Sequence, residues 1–372
     1  MRIACIGYPL LHRKVYQGLS AYRDHEIHIV VPPGWPGFDN PPRGLGPHVS
    51  IHHSRTLFRR GIILVSNQFS YIMLDTRKII EGVRPDIIWT QAEPWSFTCY
   101  LTARIAQQLG IPHVPFTFEN IRKEFPFPFG KMERYSISRA SGIVAGNSEA
   151  REICMKKGAG CPIEVMPPTG VDTEYFSPKG PDLRKKLGLV GKKVVLFSGR
   201  FMDFKGIMQV LESIPQVSGS ITGVSYLLCG RGPFERQMRR YISQKKLPCT
   251  IISWISHGDM PRLYRTADVF VYPSYATKIW KEQFGWANLE AMCCGIPVIT
   301  TRSGSIPEVV GDAAFMVNEK DTQGLADAVI KVLSDQGLSG RLARAGFRQA
   351  GKFSYQVIGK RHIDFFKRIL KK

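Results

Sequence analysis

An α/β chain built from two parallel-sheet domains is the architecture that the order of apolar segments predicts. Short apolar runs of strand length alternate with longer helical segments throughout, as in sheets whose crossover helices cover both faces. At 372 residues the chain is long enough for two or three domains, each with its own core. A stretch of turn formers, Ser177-Pro178-Lys179-Gly180-Pro181, separates two such alternations, and a fresh sheet begins after it.

In the first half, Ile3–Gly7, Glu26–Val31, Val49–His53, Pro85–Thr90, Ile111–Phe118, Gly142–Gly146 and Ile163–Met166 read as strands. Helices are expected over about Val15–Tyr22, Asn67–Glu81 and Ala92–Leu109, the last ended by Gly110. Ser148 is expected to cap a further helix. Pro32–Pro47 is a Pro/Gly-rich loop. Phe125–Lys131 sets three phenylalanines among prolines and also reads as a loop, because proline excludes a regular helix interior. In the second half, a short helix is expected at Asp182–Leu187. The strands are Lys193–Phe197, Ser225–Cys229, Cys249–Ser253, Asp268–Tyr272, Val298–Thr300 and Ala314–Val317. Between and after them come helices at Met260–Ala267, Trp286–Cys294, Thr322–Ser334, Ser339–Ala350 and Tyr355–Leu370.

Composition narrows the function classes. No apolar run approaches the ~20 residues of a membrane span, and Met1–Tyr8 reads as a strand, not a signal peptide. The eight cysteines form no CxxC pair, which suits buried thiols in a cytoplasmic enzyme and argues against zinc. The net charge of +21, heavier in the second half, favours anionic partners such as nucleotides or lipid headgroups. No basic run is interleaved with aromatics, so nucleic acid is not expected.

Four strings carry chemistry. Gly199-Arg200-x4-Lys205-Gly206 follows a strand and opens a helix: an arginine fork and a lysine point charge suit a diphosphate at a helix start. Gly230-Arg231-Gly232-Pro233 follows the next strand, and its glycines let backbone approach a ligand. The stretch Trp280–Val310 places Glu282 and Glu290 across the Phe284-Gly285 turn, with Leu289 on the helix that follows. Gly170-Val171-Asp172-x3-Phe176 closes the first half. Taken singly, these are surface cations and two glutamates beside an ordinary helix.

In this order they resemble the signature of the retaining family-4 glycosyltransferases. The resemblance implies the GT-B fold, two Rossmann-like domains with parallel sheets facing across a cleft. Residues 1–176 would be the acceptor-binding domain and 177–354 the nucleotide-sugar domain. A last helix, 355–372, would cross back to the first. It implies transfer of a sugar, with retention, from a nucleoside-diphosphate sugar to a hydroxyl of a glycan, lipid-linked or small-molecule acceptor, with no metal or other cofactor. By match of position, Arg200, Lys205 and Glu282 form the catalytic set. Glu282 would hold donor-sugar hydroxyls and Glu290 the ribose. Gly199, Gly230, Gly232, Phe284, Gly285 and Leu289 complete the donor site.

The chain departs from the family in two places. The loop after the first strand lacks the usual Gly-Gly pair and offers His12, Arg13 and Lys14, for a phosphate, for the acceptor, or as a solvated basic turn. Glu119-Asn120 stands where relatives often have His-Asp, so Glu119 is either a sugar or acceptor contact or a helix-capping acid. These departures keep a second reading open, a non-catalytic nucleotide- or glycan-binding protein on the same scaffold. The Phe125–Lys131 segment suits the acceptor site, an anionic membrane surface on the cytoplasmic side, or packing against the adjoining domain.

Overall fold

The computed structural model describes residues 1–11, 17–19, 22–33, 46–58 and 71–371. The chain divides into two compact units, Met1–Gly170 with Tyr355–Lys372, and Val171–Ser354. Val171–Phe176, assigned from sequence to the first domain, belongs to the second unit. There the Val171 N–H donates to the Phe353 carbonyl at 2.8 Å, and the buried Phe176 ring stands edge-on to Tyr264.

The first unit holds β1 (Arg2–Ile6), β2 (Glu26–Val31), β3 (Val49–His53), β4 (Thr56–Phe58), β5 (Tyr71–Met73), β6 (Ile87–Thr90), β7 (His113–Thr117), β8 (Ile143–Ala145) and β9 (Ile163–Val165). Seven of these form a parallel sheet in the order β3-β2-β1-β6-β7-β8-β9. The second unit holds β10 (Lys193–Ser198), β11 (Val224–Cys229), β12 (Cys249–Ile252), β13 (Val269–Tyr272), β14 (Val298–Thr301) and β15 (Phe315–Val317), in the order β12-β11-β10-β13-β14-β15. Its pairs are parallel too. The central strands are almost wholly apolar and buried, as strands covered on both faces must be. In each sheet the chain order reverses at one point, β1/β6 and β10/β13. Loops leaving the carboxyl ends of strands diverge at such a point and leave room for a ligand.

Several local expectations are corrected. Tyr71–Met73, placed in a helix from Asn67, pairs antiparallel with β4, and the helix is Thr76–Val83; residues 67–70 lie outside the described residues. Three residues rich in aromatic and branched side chains satisfy either period, and the pairing with Thr56–Phe58 decides. Asp182–Leu187 makes one helical turn, Leu187 N–H to Leu183 O at 3.0 Å, and no helix; Gly188 then turns left-handed at φ +65°. The cap beside Ser148 is Asn147, whose side chain accepts from the Ala150 N–H at 2.8 Å. Phe129 opens the helix Phe129–Ser138, so the end of the Phe/Pro segment is helical. Of the helix expected near residues 15–22, Gln17–Leu19 is described and helical.

The last helix, Tyr355–Leu370, belongs to the first unit. Ile363, Phe365, Phe366 and Ile369 join one buried cluster with Ile3, Ile6, Trp89 and Val144. Its approach is close because Gly18 and Gly359 meet backbone to backbone: a Cβ on Gly359 would lie 2.5 Å from the Gly18 carbonyl oxygen. Tyr22 fastens the same contact, its hydroxyl donating to Gln356 O at 2.9 Å. Among the described residues, no helix is long and apolar enough to cross a membrane.

At the end of β7, the half-buried Glu93 accepts from the Thr117 hydroxyl and, at 2.9 Å, from the Phe118 N–H. Burial of its carboxyl outweighs these bonds and pushes its pKa up to about 7 from 4.5, with Glu119 and Glu133 adding repulsion. The folded chain therefore keeps a proton that the unfolded chain releases, and this contribution to stability is lost as pH rises from about 4.5 to about 7. Glu93→Gln is expected to stabilise the protein at pH 8 by about 2 kcal/mol and to change little at pH 4.5. Urea unfolding of both forms across that range checks it; parallel curves would mean that Glu93 ionises normally.

Candidate active site

The second unit gathers its polar side chains at the β10/β13 reversal. After β10 the chain makes a loop, a short 3-10 turn at Asp203–Lys205 and the helix Ile207–Ser220. Gly206 joins turn to helix at φ +73°, and a Cβ there would sit 2.0 Å from the Pro273 carbonyl oxygen. Only glycine lets this loop lie against the one that leaves β13, and the contact sets Lys205 beneath Tyr272 and Glu282.

Lys205 is 6% exposed and Glu282 7%. The Lys205 ammonium donates to Glu282 Oε2 at 2.6 Å and to the Tyr272 hydroxyl at 2.7 Å. Tyr272 donates in turn to the same Oε2 at 3.0 Å, and Ser274 Oγ at 3.2 Å. The Trp280 ring covers the ammonium, 4.5 Å from centroid to Nζ, and Phe204 stacks on its indole at 4.1 Å. Burial pulls the Lys205 pKa below its ordinary value, and Glu282 opposes that pull. Arg200 is exposed on the same loop, and its charge adds to the downward pull. Burial and the Glu282 charge raise Tyr272 well above an ordinary phenol, so it stays protonated and able to donate.

The Glu282 backbone is gripped as firmly as its side chain. Its carbonyl accepts from the Ser305 N–H and hydroxyl, each at 3.0 Å, and a Cβ on Gly304 would lie 2.2 Å from that oxygen. Gly285, at φ +79°, starts the helix Trp286–Cys293. Phe284 and Leu289 turn inward, Phe284 against Trp286 and Phe353 and Leu289 fully buried. Glu290 accepts from the Tyr264 hydroxyl at 2.9 Å. Gly230 and Gly232 seat one loop on another: Cβ atoms there would lie 1.9 Å from Gly199 O and 2.2 Å from Phe201 O.

In the first unit, Glu119 is 7% exposed and its Oε1 accepts from the Lys123 N–H at 3.2 Å and from Lys157 Nζ at 3.4 Å. Lys157 also donates to Glu133 at 2.7 Å. Burial raises the pKa of both carboxylates, against Lys157. This geometry uses Glu119 to hold its own loop; Asn120 beside it is also buried. His12, Arg13 and Lys14 lie outside the described residues. The three rings of the Phe/Pro segment are not all tucked inward. Phe125 packs on Trp95 at 5.2 Å and Phe129 meets Phe97 edge-on at 5.7 Å, while Phe127 is 79% exposed with Lys131 Nζ 5.4 Å from its ring.

The sequence reading missed Tyr264, Tyr272, Ser274, Trp280 and Lys157. The two tyrosines left a signal: a phenol in a buried strand or on the buried side of a helix needs a hydrogen-bond partner, and here each finds a glutamate named in the motif.

Known proteins resemble the chain throughout. The model of "Glycosyltransferase Family 4" matches residues 14–175 and that of "Glycosyl transferases group 1" residues 180–349. Spore coat protein SA of Bacillus subtilis is 26% identical over 262 residues, 62% of this chain and 68% of that protein. A GDP-mannose-dependent monoacylated alpha-(1-6)-phosphatidylinositol monomannoside mannosyltransferase of Corynebacterium glutamicum is 29% identical over 203 residues, 52% of this chain and 53% of that enzyme. The chain thus spans about half the length of several curated relatives it matches. Among solved structures, Anabaena HepE in complex with UDP superposes with a TM-score of 0.75 over 99% of this chain and 100% of that one, at 17% identity. The sucrose-phosphate synthase of Thermosynechococcus elongatus gives 0.72 over 100% and 99%, at 19%. At those identities the likeness establishes the fold, which is GT-B, and with the two family models it places this chain among the group 1, family-4 glycosyltransferases.

Proposed function

We propose that the protein transfers a sugar from a nucleoside-diphosphate sugar to an acceptor hydroxyl, with retention and without a metal. The observation that carries this reading is the buried Lys205–Glu282 pair at the β10/β13 reversal, with Arg200 on the same loop. A nucleoside diphosphate is a stable leaving group once its charge is met. Arg200 and Lys205 supply that charge as the bond from the anomeric carbon to the phosphate oxygen lengthens. Glu282 holds sugar hydroxyls, and Glu290, steadied by Tyr264, holds the ribose. The glycine loops Gly199 and Gly230–Gly232 admit the phosphates to backbone. On the face the leaving group departs from, the acceptor oxygen bonds to the anomeric carbon and its proton passes to the departing phosphate oxygen. Asn120 is assigned to the sugar or acceptor side. The mannosyltransferase relatives and the UDP held by HepE support a nucleotide-sugar donor. A panel of UDP-, GDP- and ADP-sugars, read by thermal shift and by nucleoside diphosphate release, tests the reading. Binding without turnover would leave the non-catalytic alternative.

Arg200→Ala and Lys205→Ala are each expected to cut turnover by ~10²-fold or more, the scale of one lost transition-state contact. Near-wild-type turnover in either folded variant would remove the diphosphate assignment.

Glu290→Gln is expected to weaken nucleoside diphosphate binding while leaving pyrophosphate unaffected. Glu282→Ala is not a clean test of the sugar contact, because it strands a buried ammonium. Glu282→Gln keeps a partner for Lys205, and its loss should fall on the intact donor more than on the diphosphate. Calorimetry with pyrophosphate, nucleoside diphosphate and donor separates the roles; equal losses for all three ligands would sink the division.

For the acceptor we favour one carried on a lipid, in keeping with the phosphatidylinositol mannoside enzymes among the relatives. Phe127, exposed with Lys131 Nζ 5.4 Å from its ring, offers a ring and a cation to an anionic interface, with the exposed Arg122 and Lys123 close by in sequence. Phe127→Ser should lower co-sedimentation with phosphatidylserine vesicles at low salt and spare donor hydrolysis. A wild-type protein that ignores such vesicles would end the membrane proposal.

A further inference from the structure

We infer that Tyr272 is a positioning residue for Lys205 and Glu282, whose hydroxyl keeps the two charged ends aligned when a donor competes for them. The inference rests on the donor-site reading above. The ammonium and the carboxylate, 2.6 Å apart, neutralise each other in the free protein. A diphosphate that draws on Lys205 and a sugar that draws on Glu282 both loosen that bond. Tyr272 touches both partners at once, accepting from Lys205 at 2.7 Å and donating to Glu282 at 3.0 Å.

Its own position is fixed by the sheet. Tyr272 ends β13, is 5% exposed, and its ring lies nearly parallel to Phe197 and Phe270 at 6.3 and 6.1 Å. The phenol therefore stays in place while the pair opens. The Trp280 ring also lies against the ammonium, its centroid 4.5 Å from Nζ, with that of the Tyr272 ring at 5.1 Å. Ser274 gives Glu282 a further donor, whereas the Tyr272 hydroxyl bonds to both charged groups.

Tyr272→Phe removes the hydroxyl and keeps the ring. We expect kcat to fall about tenfold or more, the scale of one hydrogen bond to a charged group, with donor KM little changed. That loss should shrink on the Lys205→Ala background, where the bond to Glu282 is all that the hydroxyl has left to make of the two. A purely structural role would instead lower the melting midpoint and add to the Lys205→Ala loss. A second readout needs no nucleotide: in protein labelled at lysine, the Lys205 resonance, identified by its absence in Lys205→Ala, is titrated by NMR. Without the hydroxyl the ammonium should release its proton about one pH unit lower. An unchanged titration with additive kinetic losses overturns the inference. A shifted titration in a protein that consumes no nucleotide-sugar keeps the positioning and defeats the glycosyltransfer reading.

Discussion

A lysine and a glutamate share a site from which water is nearly excluded, and this sets the terms for the rest of the second unit. Burying either charge alone costs several kcal/mol, and burying both repays that only with good geometry and further hydrogen bonds. Tyr272 and Ser274 supply the bonds, and Trp280 gives the ammonium a π face. Two glycines supply the geometry, because Gly206 and Gly304 each bring a loop against a carbonyl where a side chain would collide. The charge pair and the glycines form one requirement met from separate parts of the chain.

The topology explains why those parts meet. β10 and β13 are neighbours in the sheet but far apart in sequence, and their loops leave the same edge in diverging directions. The loop from β10 brings Arg200 and Lys205; the loop from β13 brings Ser274, Trp280 and Glu282. A site at such a reversal needs no special scaffold beyond the sheet order, so loop chemistry is free to differ between relatives that share the fold.

How far the sequence revealed this depended on the range of the interactions. Strands β2 and β3 and the helices Thr322–Ser334 and Tyr355–Leu370 have the expected bounds, because their apolar period is long and consistent. The β4–β5 hairpin was missed, since three residues set no period and their partners lie across a loop. In the Phe/Pro segment, alternation with proline says how the backbone runs, not which ring finds which neighbour; Trp95 and Phe97, which meet Phe125 and Phe129, precede it by about 30 residues. In the site, Arg200, Lys205, Glu282 and Glu290 were legible as an ordered string. Tyr264 and Tyr272 were not, because in the sequence they look like members of apolar strands or helices. Glu119 shows the limit most plainly: its departure from the family pattern was visible, but Lys157, the cation beside it, comes from the end of the later helix Ser148–Lys156.

The return of the last helix to the first unit has a bearing on biogenesis. On the ribosome, Met1–Gly170 emerges before Phe365 and Phe366, which belong to its own core, and the whole of Val171–Ser354 must appear in between. At a synthesis rate of about 5–20 residues per second, the early segment waits roughly 10–40 s with an apolar face unfilled. Val171–Ser354 is contiguous and has all of its residues before that closing helix arrives. The nascent chain therefore exposes the face around Trp89 that Phe365 and Phe366 will later hide, and that exposed interval is where a chaperone would be drawn to it.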